Sequence, residues 1–226
     1  MLSPIAVLLR LMDGEMPVMG KIYDRMCIIG QKIDARDFSW KEDAKNIHED
    51  RWEYLHSKMH AAGYALDPEF QTFSDDFDAA TQNGLLEIIG KVCLRDQMAE
   101  SKDMTLTLKS QSVLDRIAKT EVELATYQAR EGIFTMANVI ANAKTLPPHR
   151  WWRNYCKHLP LLSSVARRVL AQPVCASAAE RNWSVYGQIK TTARARMGHA
   201  VGDKLVFCHE SLHLVKNKLQ KANYKL

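Results

Sequence analysis

DKLVFCHESLHLVKNKL, residues 203–219, is the strongest indication of the fold class of this 226-residue chain. Its apolar residues recur at spacings of 3, 4, 3 and 4, and they are Leu205, Cys208, Leu212, Val215 and Leu219. That spacing places them on one side of an α-helix and is typical of a seam that packs against another helix. No stretch of the chain shows the strict alternation of a half-buried strand. The sequence therefore predicts a mostly α fold.

Composition supports a helical globular chain. Hydrophobic residues make up 46% and charged residues 25%, which allows a sizeable core and argues against global disorder. Only 10 Gly and 7 Pro are present, too few for the many turns of a β-sandwich or barrel. No apolar run approaches the roughly 18 residues of a membrane span. We expect no signal peptide either, because a basic start and a small-residue cleavage site are missing.

Five cysteines are scattered along the chain without a CxxC pair. An odd, unpatterned set of this kind predicts buried or free thiols in a reducing, intracellular compartment. We therefore expect no disulfide framework.

Caps, prolines and apolar periodicity divide the chain into a series of predicted helices. They are a first helix capped by Ser3, helices over 18–35 and 42–62, a short one opened by Asp67–Pro68, one capped by Asp76 or Asp78, and then 99–130, 149–157, 159–172, 177–190 and a last one starting near Asp203.

Charge changes sign along the chain. Residues 1–143 hold 16 Lys and Arg against 23 Asp and Glu, a net −7, and residues 144–226 hold 15 against 3, a net +12. The pair Pro147–Pro148 lies at this switch and predicts a boundary between residues 1–146 and 147–226. Three interpretations of the basic half stay open: contact with phosphates, attraction to the acidic half, or a solvated surface.

Residues 151–214 carry a resemblance to a known family. They contain WW at 151–152, LP at 159–160, ERNWSVYGQI at 180–189, a basic segment, and LVFCH at 205–209 in the last helix. In this order the motifs resemble the C-terminal dimerisation region of hAT-superfamily DNA transposases, especially the plant-type branch. Two earlier segments, PIAVLLRLMDGEMPVMGKIYDRM at 4–26 and RWEYLHSKMHAAGYALDPEF at 51–70, are similar to the same branch.

The resemblance implies an architecture and a function. Residues 1–146 would be a helical region like the transposase insertion, and residues 147–226 the dimerisation region of an RNase H-like transposase, without its core strands, first two catalytic aspartates or zinc-binding module. We therefore expect a truncated or domesticated protein that forms a homodimer in the nucleus, with no membrane and no small-molecule substrate as partner. The residues predicted to mediate dimerisation are Trp183, Tyr186, Ile189, Leu205 and Leu212.

Glu180 matches the third acidic residue of the transposase active site. DNA cutting of this type needs several carboxylates to hold two divalent cations, and one carboxylate cannot do so alone. We therefore expect no enzyme activity from the isolated chain, and Mg²⁺ binding only if a missing catalytic half is supplied. In that alternative the chain is the C-terminal part of an active transposase. The spacing of Ser177 and Glu180 also fits a helix capping box, which would explain Glu180 without a metal.

Two further patterns have weaker functional interpretations. The sequence HESLH at 209–213 matches the H-E-x-x-H pattern of zinc metalloproteases, but no third ligand follows at a recognisable spacing, so we expect no metal and no cofactor. Lys190, Arg194 and Arg196 form a basic segment that could contact the DNA backbone, which gives a second alternative, a DNA-binding factor that uses the basic half.

Overall fold

The computed structural model describes residues 2–14, 16–70, 78–191 and 197–223, and this part of the chain is built from helices. Its helices are α1 (Leu2–Met12), α2 (Met19–Asp34), α3 (Lys41–Leu55), α4 (Lys58–Leu66), α5 (Ala79–Ser101), α6 (Gln111–Gln128), a 3-10 helix (Gly132–Thr135), α7 (Ala137–Thr145), α8 (Pro148–Tyr155), α9 (Pro160–Leu170), α10 (Ser177–Ile189) and α11 (His199–Asn223). No strand forms among the described residues. The prediction of a mostly α fold is confirmed.

The chain forms two compact units, Met1–Val174 and Cys175–Leu226. In the first unit α5 packs against α4, α6 and α9, and α4 also packs against α2. Leu66 of α4, Leu85 and Ile89 of α5 and Leu162 of α9 are fully buried where these helices meet. The core therefore joins helices from the beginning and the end of the first unit.

A second apolar cluster lies between α1 and α2. Its buried members are Leu8, Val18, Ile22, Ile29 and Ile33. Helix α3 packs beside α2 but buries none of its own residues. As a result, α3 keeps a large part of its surface exposed to solvent.

Two predicted helices are each split in the structure. The helix predicted over 42–62 breaks after Leu55, because Ser57 starts a new helix with its backbone N–H donating to His60 Nδ1 at 3.1 Å. The helix predicted over 99–130 is also interrupted. Its first residues belong to the end of α5, which stops at Ser101 because Lys102 takes the left-handed conformation with φ 58°. Helix α4 begins at Lys58 and α6 begins at Gln111. Neither break contains a proline or a glycine, the residues that usually mark one in the sequence.

The ends of other elements differ in how well the sequence predicted them. Asp78 caps α5 as predicted, since its carboxylate accepts the backbone N–H of Thr81 at 2.7 Å. Asp76 lies outside the described residues, and Pro68 begins a turn instead of the short helix expected there. The last helix starts at His199, earlier than predicted.

Packing divides the chain later than the predicted boundary at Pro147. Residues 148–170, which form α8 and α9, pack into the first unit. Trp151 and Trp152 are 1% and 0% exposed, so they are part of that unit's core. The division into residues 1–146 and 147–226 stays a prediction about family regions, while the compact units meet between Val174 and Cys175.

Two further features concern membranes and thiols. None of the helices in the described part of the chain combines the length and apolar character needed to cross a bilayer. No disulfide links the described cysteines, of which Cys93 and Cys156 are buried.

Candidate functional site

The second unit is built from α10 and α11, which pack against each other. Tyr186 of α10 holds the pair together, because its hydroxyl lies 3.0 Å from His199 Nδ1 at the start of α11. The Lys190 ammonium lies 3.0 Å from the same nitrogen and 5.8 Å from the centre of the Tyr186 ring. Gly202 is buried beside that ring, and a Cβ there would lie 3.4 Å from Tyr186 Cε2. The start of α11 is therefore fixed against the end of α10.

One face of α11 lines a groove together with α10. The groove has a volume of about 760 Å³ and is lined by Asn182, Trp183, Tyr186, His199, Asp203, Val206, Phe207 and Glu210. The α11 members of this set are three polar residues, His199, Asp203 and Glu210, and two apolar ones, Val206 and Phe207. Helix α11 thus turns a face of mixed character towards its neighbour.

The opposite face of α11 is apolar and exposed. Successive residues of a helix are about 100° apart, which puts Val201, Leu205, Cys208, Leu212 and Val215 within one third of the circumference, opposite His199, Asp203 and Glu210. The exposed fractions of Leu205, Leu212 and Val215 are 43%, 71% and 54%. We call these five residues the α11 seam. It corresponds to the seam predicted from the sequence, except that the side chain of Leu219 is outside the described set.

Two large aromatic side chains that line the groove are exposed to solvent. Trp183 is 72% exposed and packs edge-on against Tyr186, with ring centres 5.8 Å apart. Phe207 is 73% exposed. Of the residues predicted to mediate dimerisation, Trp183, Leu205 and Leu212 are exposed, and Tyr186 and Ile189 are half-buried. Phe207 was not among the predicted residues, because its position off the 3–4 seam gave no signal.

Glu180 lies in the first turn of α10 and is exposed. The predicted capping box is wrong, because the N-cap residue is Ala176 and Ser177 is already the first residue of the helix. A carboxylate in the first turn still interacts favourably with the positive end of the helix dipole. Glu180 is therefore placed by α10 at the surface.

The remaining candidate residues do not converge on one site among the described residues. Lys190 contacts Tyr186 and His199 within the second unit, whereas Arg194 and Arg196 lie outside the described residues. His209 and His213 are both exposed on α11. Across the described side chains, no group of three His, Cys, Asp or Glu could hold a metal ion. DNA contact and the expected lack of metal and cofactor stay predictions.

Comparison with known proteins identifies the segment that contains this site. Residues 123–212 match the hAT family C-terminal dimerisation region. The hAT match begins in α6 and ends at Leu212 in α11, so it includes α10, the groove and most of the α11 seam. No curated protein and no solved structure matches the chain. The resemblance to the hAT C-terminal region is confirmed at this level, and assignment to the plant-type branch stays a prediction.

Proposed function

We propose that the protein associates with a second copy of itself through the α11 seam. The observation that supports this proposal is the orientation of α11, whose apolar face points away from α10 and into solvent. The match of residues 123–212 to a dimerisation region points to the same function. We further propose that the chain is a transposase-derived dimerisation module that acts in the nucleus.

The exposed apolar area is too continuous for an isolated helix pair. The α11 seam carries an apolar residue on nearly every turn from Val201 to Val215. Contiguous apolar patches of this kind are rare on monomers and mark interaction sites. A like copy is the commonest partner of such a patch, usually around a two-fold axis. Trp183 lines the groove on the other side of α11, so it takes part only in an interface that extends beyond the seam.

The test is a pair of matched substitutions in the full chain. Leu212→Glu places a charge on the α11 seam, and His213→Glu places the same charge one residue later, about 100° around the helix. Leu212 is 71% exposed, so its replacement should leave the fold intact. We expect sedimentation at micromolar concentration to show a lower average mass for Leu212→Glu than for His213→Glu. Equal masses for both variants and the parent would mean that the seam is not an interface.

Trp183→Ala provides an independent check on α10. An interface tryptophan commonly contributes about 2 kcal/mol or more when truncated. Weaker association with an unchanged unfolding temperature would show that the interface extends from the seam to the groove, because Trp183 lines the groove and is mostly exposed. A fall in thermal stability with unchanged association would instead assign Trp183 to internal packing.

A second candidate function is supported by the accessibility of Glu180. In it, Glu180 contributes one ligand to a metal-dependent DNA-cutting site whose other carboxylates come from elsewhere. We expect the purified chain to leave supercoiled plasmid intact in Mg²⁺ or Mn²⁺, because one carboxylate cannot clamp two cations. Metal-dependent nicking that disappears in Glu180→Gln would favour this second candidate.

A further inference from the structure

We propose that the first compact unit carries a binding surface for phosphate groups, formed by Arg150 and Arg153 of α8 and Arg167 of α9. We call these three residues the arginine cluster. It lies in the first unit, whereas the α11 seam lies in the second, so phosphate binding does not depend on self-association. The arginine cluster shares no residue with the basic segment identified in the sequence, which begins at Lys190.

The part of the chain that forms α8 and α9 has no acidic residue of its own. Residues 144–179 contain six Lys and Arg and no Asp or Glu. The sequence left three interpretations of the basic half open: contact with phosphates, attraction to the acidic half, or a solvated surface. Because attraction to the acidic half requires ion pairs with it, the contacts of each arginine separate these interpretations.

Attraction to the acidic half accounts for one arginine of α9 and not for its neighbour. Arg168 pairs with Asp96 of α5. Arg167 is exposed, and within the part of the chain that the structure describes it forms no ion pair. The same holds for Arg150 and Arg153. The fold therefore leaves the positive charge of the arginine cluster uncompensated.

Helix α8 directs its arginines away from the core. At about 100° per residue, His149, Arg150 and Arg153 lie within about 100° of the helix circumference. Trp151 and Trp152 lie on the opposite side, where both are buried and donate hydrogen bonds from their indole N–H groups to backbone carbonyl oxygens. These bonds fix the rotation of α8, so its two arginines are presented together to solvent.

His149 shows that the arginines of the two helices lie near one another. Burial lowers the pKa of His149, and the charges of the arginine cluster lower it further. All three guanidinium groups therefore act on one imidazole ring. The Nδ1 atom of this ring is buried and has no hydrogen-bond partner among the described residues. An anion bound among these like charges would relieve repulsion that the fold leaves in place.

The surroundings of the arginine cluster favour phosphate groups over a protein partner. Between residues 144 and 176 no large hydrophobic side chain is exposed, whereas the centre of a protein interface is apolar and poor in charge. Guanidinium groups bind phosphate oxygens through two parallel N–H···O bonds, which makes arginine well suited to recognising phosphates. A nucleic acid backbone and a soluble polyphosphate both supply such groups.

The test measures the binding of two probes to the full chain. A short fluorescein-labelled DNA duplex is followed by anisotropy, and inositol hexakisphosphate, which presents phosphate groups without a nucleic acid backbone, is followed by calorimetry. We expect Arg150→Gln/Arg153→Gln/Arg167→Gln to weaken binding about ten-fold or more at about 0.1 M NaCl. For the duplex, the slope of log K against log [NaCl] should become shallower by about two to three, because each lost phosphate contact removes about 0.9.

The two probes distinguish the sources of phosphate. Binding of the duplex alone would assign the arginine cluster to a nucleic acid backbone. Binding of inositol hexakisphosphate alone would assign it to a soluble polyphosphate, and binding of both would show that the phosphate group itself is recognised. Each of these outcomes supports the proposal if the triple variant loses the binding.

The matched control removes three positive charges elsewhere in the same unit. It is Arg95→Gln/Lys109→Gln/Lys119→Gln, whose three parent side chains are exposed and form no ion pair among the described residues. Because surface substitutions of this kind have small effects on stability, both triple variants should keep the circular dichroism spectrum of the parent. We expect the control to bind both probes as the parent does.

His149 provides a readout in the unaltered protein. A phosphate bound at the arginine cluster offsets the charges that lower the pKa of this ring, so the ring should titrate at a higher pH when the bound probe is present. NMR follows the titration, and the spectrum of His149→Gln assigns the signal. An unchanged titration with a saturating probe would place the phosphates elsewhere and overturn the proposal.

Three further results would also overturn it. The first is a parent protein that binds neither probe. The second is an equal loss of binding in the arginine variant and the matched control, which would mean that only total charge matters. The third is competition by a glutamate peptide of the same net charge as inositol hexakisphosphate and with equal strength, which would point to an acidic protein segment. None of these results bears on the α11 seam, which Leu212→Glu and His213→Glu test separately.

Discussion

The indole Nε1–H of Trp152 donates a 2.7 Å hydrogen bond to the carbonyl oxygen of Leu66, 86 residues earlier in the chain. Leu66 is the last residue of α4, so its carbonyl has no partner within the helix. Both residues are fully buried, and water cannot replace the bond. The bond therefore joins a segment of the hAT match to the front part of the first unit.

The Trp152 bond gives the first prediction. Trp152→Phe keeps most of the ring but leaves the Leu66 carbonyl buried without a donor, and we expect it to lower the free energy of unfolding by about 1–3 kcal/mol. Trp152→Ala adds a cavity and should cost about 3–5 kcal/mol. Urea unfolding followed by circular dichroism measures both. Trp40→Phe, at an exposed tryptophan of the same unit, is the control and should change stability by less than about 0.5 kcal/mol.

The second prediction concerns the position of the unit boundary. A protein ending at residue 146 lacks α8 and α9, whose Trp152 and Leu162 are buried against the core of the first unit. We expect residues 1–146 to lose cooperative unfolding, and residues 1–174 to keep it, because the latter include the complete core. A sharp urea transition for residues 1–146 would show instead that the boundary at Pro147 is also a folding boundary.

Local patterns in the sequence predicted most helices but not the breaks between some of them. Apolar spacing recurs after the interruption at 56–57, and no glycine or proline marks it. The break depends on His60, whose ring nitrogen accepts the Ser57 N–H in a role more often filled by glutamate or glutamine. At the end of α5 the left-handed residue is Lys102 instead of glycine, which removes the usual signal of a helix C-terminus.

The candidate site was predictable to a similar extent. The 3–4 spacing of Leu205, Cys208, Leu212 and Val215 is enough by itself to indicate a seam. Spacing alone does not show which neighbour a seam packs against, and the fold adds that α10 lies on the other face of α11. The burial of Trp151 and Trp152 in the first unit depends on contacts with residues outside α8, so no local pattern could assign them to it.

A third prediction follows from the close crossing of α2 and α4. A Cβ at Gly20 would lie 2.4 Å from Asp67 Oδ2 and 2.8 Å from the carbonyl oxygen of Gly63. Asp67 is itself buried and paired with Lys21 at 3.0 Å, so it cannot move aside without weakening that pair. We expect Gly20→Ala to destabilise the first unit by about 1–3 kcal/mol, as other overpacked sites do.

The control for Gly20 is another helical glycine with open space around it. A Cβ added at Gly187 in α10 would meet no atom within 4 Å beyond its chain neighbours and its own helix backbone. Gly187→Ala should therefore stabilise α10 by about 0.5–1 kcal/mol through its higher helix propensity. The unfolding temperatures of the two variants should shift in opposite directions. An equal fall in both would show that the close approach of α2 and α4 at Gly20 does not cause the destabilisation.

A fourth prediction concerns pH and the histidines at the α3–α4 junction. Burial lowers the pKa of His60, and the neighbouring His56 ring, 6.3 Å away, lowers it further. Burial also lowers the pKa of His56, although Asp78 opposes that shift. A lowered pKa means that the folded protein holds these rings neutral while the unfolded chain binds protons more readily. Stability is therefore complete above the unfolded pKa of about 6.5 and falls as the pH drops from there through the folded values.

His60→Gln separates this effect from general acid denaturation. Glutamine at this position of a helix start can also accept the Ser57 N–H, so the cap is kept while the titrating group is removed. We expect the unfolding midpoint in urea to fall less between about pH 8 and about pH 5.5 in His60→Gln than in the parent. Equal losses in the two proteins would assign the pH dependence to other groups.

The last prediction concerns the response of the α11 seam to salt. The α11 seam is flanked by Lys204, His209 and Lys216, and residues 144–226 carry a net +12, so two copies that meet there repel each other electrostatically. Added salt screens this repulsion, with a screening length of about 10 Å at 0.1 M and about 3 Å at 1 M.

Screening of this repulsion should strengthen dimerisation through the seam. We expect the full chain to dimerise more tightly as NaCl rises from about 0.05 M to about 0.5 M. Leu212→Glu disables the seam, and its average mass should not rise over the same range. Sedimentation of both proteins at several salt concentrations measures the two responses. A full-chain dimer that weakens as salt is added would show that attraction between opposite charges, and not the apolar seam, holds the two copies together.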